Sequence, residues 1–120
     1  MHILIVDDSR IMRQIIKRTL IQAGFEDFEF SEAANGHEAL ESYSHLHPDL
    51  ILSDWNMPEM DGLSLLQEIR KIDSDVPFGL ITAQSTASLR ESAQYHGAHF
   101  LLSKPFTPES LGTAVKAVLS

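Results

Sequence analysis

The chain contains no cysteine, which excludes a disulfide scaffold and any thiolate metal site. Its apolar runs fall far short of the roughly 20 residues that cross a bilayer. His2-Ile3-Leu4-Ile5-Val6 reads as a strand from the outset and leaves no room for a secretion signal. A cytoplasmic protein is expected. Basic residues are few: Lys and Arg total 9 against 17 Asp and Glu, a formal net charge of -8. Phosphate neutralisation needs a basic surface, so direct binding to nucleic acid or to a membrane is not expected. Partners should be proteins, or phosphates met with the help of a metal. The 120 residues fit one domain, spanning 1–120, large enough to bury a core without staples.

What the chain does have is a stretch that stops abruptly. Asp49-Leu50-Ile51-Leu52-Ser53-Asp54 is a short apolar run ending on a carboxylate, and Met57-Pro58-Glu59-Met60-Asp61-Gly62 then turns the chain into an amphipathic segment. A buried parallel strand delivers one side chain to a sheet edge in this way. Asp54 reads as a nucleophile. On its own it could equally end a strand or cap a turn, as most such aspartates do.

The remaining pattern decides between these. Residues 2–6 form a buried strand with the acidic tip Asp7-Asp8-Ser9. From Arg10 to Ala23 the apolar residues Ile11, Met12, Ile15, Ile16 and Leu20 recur at helical spacing, with Arg13, Lys17 and Arg18 elsewhere on the wheel. Gly24 closes that helix. Phe28 to Ser31 alternates, as an edge strand would. Asn35 and Glu38 open a helix carrying Ala39, Leu40 and Tyr43 inward until His47-Pro48. Asp61 caps a helix with Leu65, Leu66 and Ile69 inward, and Phe78 to Thr82 is the next strand. Ser88 with Glu91 predicts the start of a helix running to about His96, weakly anchored through Leu89, Ala93 and Tyr95. Phe100 to Ser103 delivers Lys104, and Thr107-Pro108 opens a last helix with Leu111, Ala114, Val115, Val118 and Leu119 inward.

Strand and helix alternate through the whole chain, so the expected fold is α/β: a doubly wound, flavodoxin-like parallel sheet of five strands flanked by five helices. The carboxyl ends of all strands then share one edge, where ligands bind. Asp7, Asp8, Asp54, Thr82 and Lys104 should meet there. Three carboxylates in contact stay ionised only beside a cation, and an all-oxygen donor set with room for water suits Mg²⁺. Three carboxylates, one Mg²⁺ and the Lys104 ammonium leave no net charge. A carboxylate nucleophile, a metal, a fixed ammonium and a hydroxyl at Thr82 are the parts phosphoryl transfer uses.

Asp7-Asp8, the block from Asp54 to Gly62, Thr82-Ala83 and Lys104-Pro105-Phe106 together resemble the receiver domain of two-component response regulators, over essentially the whole chain. The strand order 2-1-3-4-5 is the one known for that family. The resemblance implies that Asp54 accepts a phosphoryl group from a phosphohistidine of a histidine sensor kinase. It implies that Asp8 and Asp54 ligate Mg²⁺ directly, Asp7 acts through water, and Asn56 offers its backbone carbonyl. Thr82 would sense the phosphoryl group, Lys104 would bind it, and the Lys104–Pro105 bond would be cis. It further implies a switch that catalyses only its own phosphoryl transfer and autodephosphorylation. Such a switch would be monomeric until phosphorylated, and read by a protein on the face of the fourth helix, fifth strand and fifth helix. A role in chemotaxis or as a stand-alone regulator, with or without a phosphatase partner, is implied; a receiver cut from a longer regulator is the alternative. One position departs from the family. Leu101 stands where an aromatic is usual, so activation is expected to rely on backbone movement after Thr82 and on the helix from Ser88 to His96.

Other signals weigh less. His45 and His47 are expected in a loop without a third ligand, and His96 and His99 as ordinary surface residues. Trp55 is expected half exposed, quenching when metal binds. Gln84 and Asn56 border the path of an attacking water. A haloacid-dehalogenase-type phosphatase needs a second aspartate where Asn56 stands. A flavodoxin would find its phosphate repelled by Asp7-Asp8-Ser9, and an inactive adaptor would lack one of the functional positions.

Overall fold

The computed structural model describes residues 1–119. Strands and helices alternate as β1 (His2–Val6), α1 (Arg10–Gln22), β2 (Glu29–Ala33), α2 (Gly36–Leu46) and β3 (Leu50–Asp54). They continue as α3 (Gly62–Ile72), β4 (Phe78–Thr82), α4 (Ala87–Tyr95), β5 (Phe100–Ser103) and α5 (Pro108–Leu119). The five strands pair in parallel in the order β2-β1-β3-β4-β5. Every residue of β3 and β4 is buried, because helices cover both faces and neither set of alternating side chains meets water.

The sheet divides the core in two. On one side Leu4, Val6, Ile51 and Leu80 meet Ala39 of α2, Leu65, Leu66 and Ile69 of α3, and Ala93 of α4. On the other, Ile3, Ile5, Leu52 and Ile81 meet Ile16 and Leu20 of α1 and Leu111 and Val115 of α5. Each fully buried Leu or Ile contributes about 1.5–3 kcal/mol, so this double core accounts for a stable domain without staples. No helix among the described residues is long and apolar enough to cross a membrane.

Several expectations shift. β2 runs Glu29–Ala33, later than the alternation suggests, because Phe28 is drawn into a turn with Phe25 and packs edge-on against its ring at 5.0 Å. α4 is capped by Thr86, whose Oγ1 accepts from Leu89 N, and not by Ser88. Ala93 is its one buried residue, and Tyr95 is 85% exposed. In α1 the apolar stripe splits: Ile16 and Leu20 are buried, while Ile11 and Ile15 face solvent. His45 lies in the last turn of α2 rather than a loop, with Nδ1 2.8 Å from Glu41 O. His47 follows as a left-handed cap at φ 47°. The Lys104–Pro105 bond is cis.

At the edge where strands begin, Arg70 ties several segments together. Its guanidinium donates to Gly97 O, Val76 O and Asp73 O at 2.8 to 3.2 Å. The Tyr43 hydroxyl donates to Asp73, whose Oδ1 also accepts from Asp75 N and Val76 N. That hydroxyl bond holds the Asp73 carboxyl below the usual range, while burial and Asp73 push Tyr43 up to about 12. His99 joins at the same edge, its Nδ1 accepting from Phe78 N.

Candidate functional site

The opposite edge collects the charged groups. β1 ends by releasing Asp7 and Asp8, and β3, hydrogen-bonded beside it in parallel, ends on Asp54. One carboxylate oxygen from each of Asp7, Asp8 and Asp54 lies within 4.8 Å of the others. Asp7 and Asp54 are buried and Asp8 is exposed, so the cluster is a shallow cup with solvent on one side. β4 pairs Ile81 with Asp54 and therefore sets Thr82 one residue further out, and β5 pairs Ser103 with Thr82. Lys104 N then donates to Thr82 O at 2.8 Å. That bond turns the chain so that Lys104 Nζ reaches Asp54 Oδ1 at 2.9 Å, with Asp7 Oδ2 at 3.9 Å.

Asp7 is the electrostatically costly member. Burial pushes its carboxyl up to about 6, against the bond it accepts from Ser9 N; the charge of Asp54 raises it further and Lys104 lowers it. Its Oδ2 is buried without a hydrogen-bond partner. A buried carboxylate oxygen is expensive to leave unpartnered, and here it faces two further carboxylates. A hard divalent cation fits this donor set, all oxygen and with an orphaned atom aimed inward. With all three donors inside 4.8 Å, a single ion could be reached by each of them, directly or through a water molecule.

Thr82 is buried, and its Oγ1 accepts from Gln84 N at 3.2 Å. Asn56 lies exposed in the loop after β3. Its neighbour Trp55 is only 8% exposed, contrary to the half-exposed position expected. Trp55 N donates to Ile81 O and so continues the β3 pairing by one residue, which sends the indole into the core with Leu65 and Met57. Strict alternation past Asp54 is the signal that gives this away. Leu101 is buried in the same core as Ala93. Phe100 points to the other side, its ring lying over Gly79.

Spacing alone sets Arg13 apart from the apolar residues of α1 and gives Ser9 no role. In the folded chain Ser9 N donates to Asp7 Oδ1 at 2.9 Å and Arg13 Nη1 to Asp7 O at 2.7 Å. The Ser9 bond is a local Asx turn, two residues on from Asp7; the Arg13 bond comes from the helix that follows β1, and no local motif marks it.

The comparisons with known proteins agree over nearly the full length. A family model described as the response regulator receiver domain matches residues 3–116. The chemotaxis protein CheY of Bacillus subtilis is 39% identical over 119 residues, covering 99% of this chain and 98% of its own. The solved structure of chemotaxis protein CheY4 of Vibrio cholerae superposes with a TM-score of 0.89 at 34% identity, covering 98% of each chain. A probable transcriptional regulator, ycf27 of Porphyridium aerugineum, is 38% identical over 98% of this chain but only 47% of its own length.

Proposed function

The chain belongs to the response regulator receiver domain family, and from that premise we propose that it is a switch set by phosphorylation of Asp54 and read by a protein partner. The observation that carries this reading is the meeting of Asp7, Asp8 and Asp54 within 4.8 Å beside an ammonium 2.9 Å from Asp54 Oδ1.

Lys104 engages Oδ1, and Oδ2 of Asp54 accepts no hydrogen bond among the described residues. That oxygen attacks phosphorus on a phosphohistidine of the sensor kinase. The new O–P bond forms as the P–N bond breaks, and the imidazole leaves taking up a proton. Asp8 and Asp54, with Asp7 through water and the Asn56 carbonyl, would hold Mg²⁺. When bound, it supplies charge neutralisation for the phosphoryl oxygens. Lys104 pairs with a phosphoryl oxygen once Asp54 has lost its own charge, and the Thr82 hydroxyl donates to another. Thr82 O accepts from Lys104 N and its Oγ1 from Gln84 N, so its movement is passed to the loop after β4 and to α4. With one buried residue, α4 is the element least costly to reposition. The partner-binding face is assigned to α4, β5 and α5, and the domain needs no activity beyond forming and hydrolysing its own acyl phosphate.

Incubation with acetyl phosphate and Mg²⁺ should add about 80 Da, one phosphoryl group, to the intact chain and nothing to Asp54→Asn. Equal labelling of both, or none of either, overturns the reading. The half-length match to transcriptional regulators favours a second reading, in which this domain governs an output domain on the same chain.

A further inference from the structure

Asp7 is fastened on three sides. Its N–H donates to Ala33 O at 3.1 Å, its Oδ1 accepts from Ser9 N at 2.9 Å, and its carbonyl accepts from Arg13 Nη1 at 2.7 Å. What is left over is Oδ2, buried and unpartnered, on the side of Asp54 and Lys104. The carbonyl held by Arg13 belongs to the peptide unit that joins Asp7 to Asp8. Because that unit is planar, a donor fixed on its oxygen sets the direction in which Asp8 leaves the strand end. Arg13 is itself held. Its Nε donates to Glu32 Oε1 at 2.8 Å, and the other Glu32 oxygen accepts from Gln14 Nε2 at 2.9 Å.

A partly exposed ion pair of this kind adds only about 0–1 kcal/mol to stability, so stability is a poor account of the whole arrangement. We infer that Arg13 is a positioning residue for the acidic pair: acting through the Asp7–Asp8 peptide, it holds both carboxylates, before any metal arrives, in the orientation a divalent cation would use. It touches neither cation nor phosphorus. The inference rests on the metal-assisted reading above.

Charge and geometry here predict opposite signs. Arg13 is a cation close to a cation site, so deleting it should tighten Mg²⁺ if charge alone mattered. If Arg13 orients the ligands, deleting it weakens Mg²⁺, by about tenfold on the scale seen for groups that hold metal ligands. Mg²⁺ is titrated calorimetrically into the parent chain, Arg13→Ala, Arg13→Lys and Arg10→Ala. Arg10→Ala removes the same charge from the start of the same helix and serves as the charge control. The expected result is a Kd about tenfold higher for Arg13→Ala and partial recovery for Arg13→Lys, with Arg10→Ala unchanged or slightly tighter. Circular dichroism in chelator establishes that each variant is folded. Should Arg13→Ala not fold, Glu32→Ala, which leaves Arg13 present but untethered, must show the same loss in smaller measure. Parent-like or tighter Mg²⁺ binding by the folded variant overturns the inference. A parent chain that binds no Mg²⁺ overturns the metal reading itself, a distinguishable failure.

Discussion

Lys104 Nζ donates to Asp54 Oδ1 at 2.9 Å across a separation of 50 residues, and it is the cation that the carboxylate cluster carries within the chain itself. Replacing it by methionine keeps the aliphatic stem and removes the charge. Acyl phosphate formation from acetyl phosphate should fall by about 10²-fold, the usual cost of losing a preorganised charge-stabilising donor. Initial rates of labelling measure it. A rate within about twofold of the parent would remove Lys104 from the proposed chemistry.

Asp7 sets a pH dependence of unusual sign. Its carboxyl is raised from 3.8 to about 6, chiefly by burial, so the folded chain holds that proton more tightly than the unfolded chain. Between those values the folded state binds more protons, and stability therefore falls as pH rises through the window. Above it the ionised group costs roughly 3 kcal/mol at about 1.4 kcal/mol per pKa unit. In chelator, Asp7→Asn should be more stable than the parent at pH 7 by roughly 1–3 kcal/mol, with a flatter profile from about pH 4 to 6. Urea melts across that range decide it; identical profiles would refute the assignment.

Gly62 sits where no side chain fits. A Cβ there would lie 2.3 Å from Asp54 O and 3.0 Å from Trp55 Cα, both backbone, and Gly62 N already donates to Trp55 O at 2.8 Å. Backbone gives way at high cost, so Gly62→Ala should destabilise the chain by about 2 kcal/mol or more, at the upper end of overpacking costs. It should also slow phosphorylation by moving Asp54. A variant as stable and as readily labelled as the parent would contradict this.

Gly79 offers a contrast, because the atoms in its way belong to a side chain. A Cβ would meet the Phe100 ring at 2.2 Å. Gly79→Ala should cost about 1–3 kcal/mol alone and markedly less in a Phe100→Val background, a coupling that a double-mutant cycle reads directly. Additive effects would mean that the ring is not the obstacle.

Much of this architecture can be read before folding. β4 and β5 are short apolar runs whose ends coincide with Thr82 and Ser103, and five strand-then-helix repeats leave little choice of topology. The rim follows from those ends, since parallel strands finish on one side. What escapes is decided by contacts distant in sequence. Arg13 stands apart from the apolar residues of its helix by spacing, yet it is claimed by Asp7 O and by Glu32 of a neighbouring strand. Thr86 and Ser88 are both competent caps; the path of the loop after β4, which no local pattern encodes, selects Thr86. The indole of Trp55 turns inward because its backbone extends the β3 ladder past the carboxylate.

The Arg70 knot gives the sheet two unlike ends. Where β4 and β5 begin, one guanidinium gathers the carbonyls of Val76 and Gly97, so both strands start from a common fixed mooring. Where they finish, Ala83 and Gln84 stand exposed and Lys104 is only partly covered. Were Asp54 to act as the proposed switch, a displacement set off at Thr82 would meet that mooring behind it and the exposed loop leading to α4 ahead of it. On the proposed function, a signal written on Asp54 would then have one direction in which to travel.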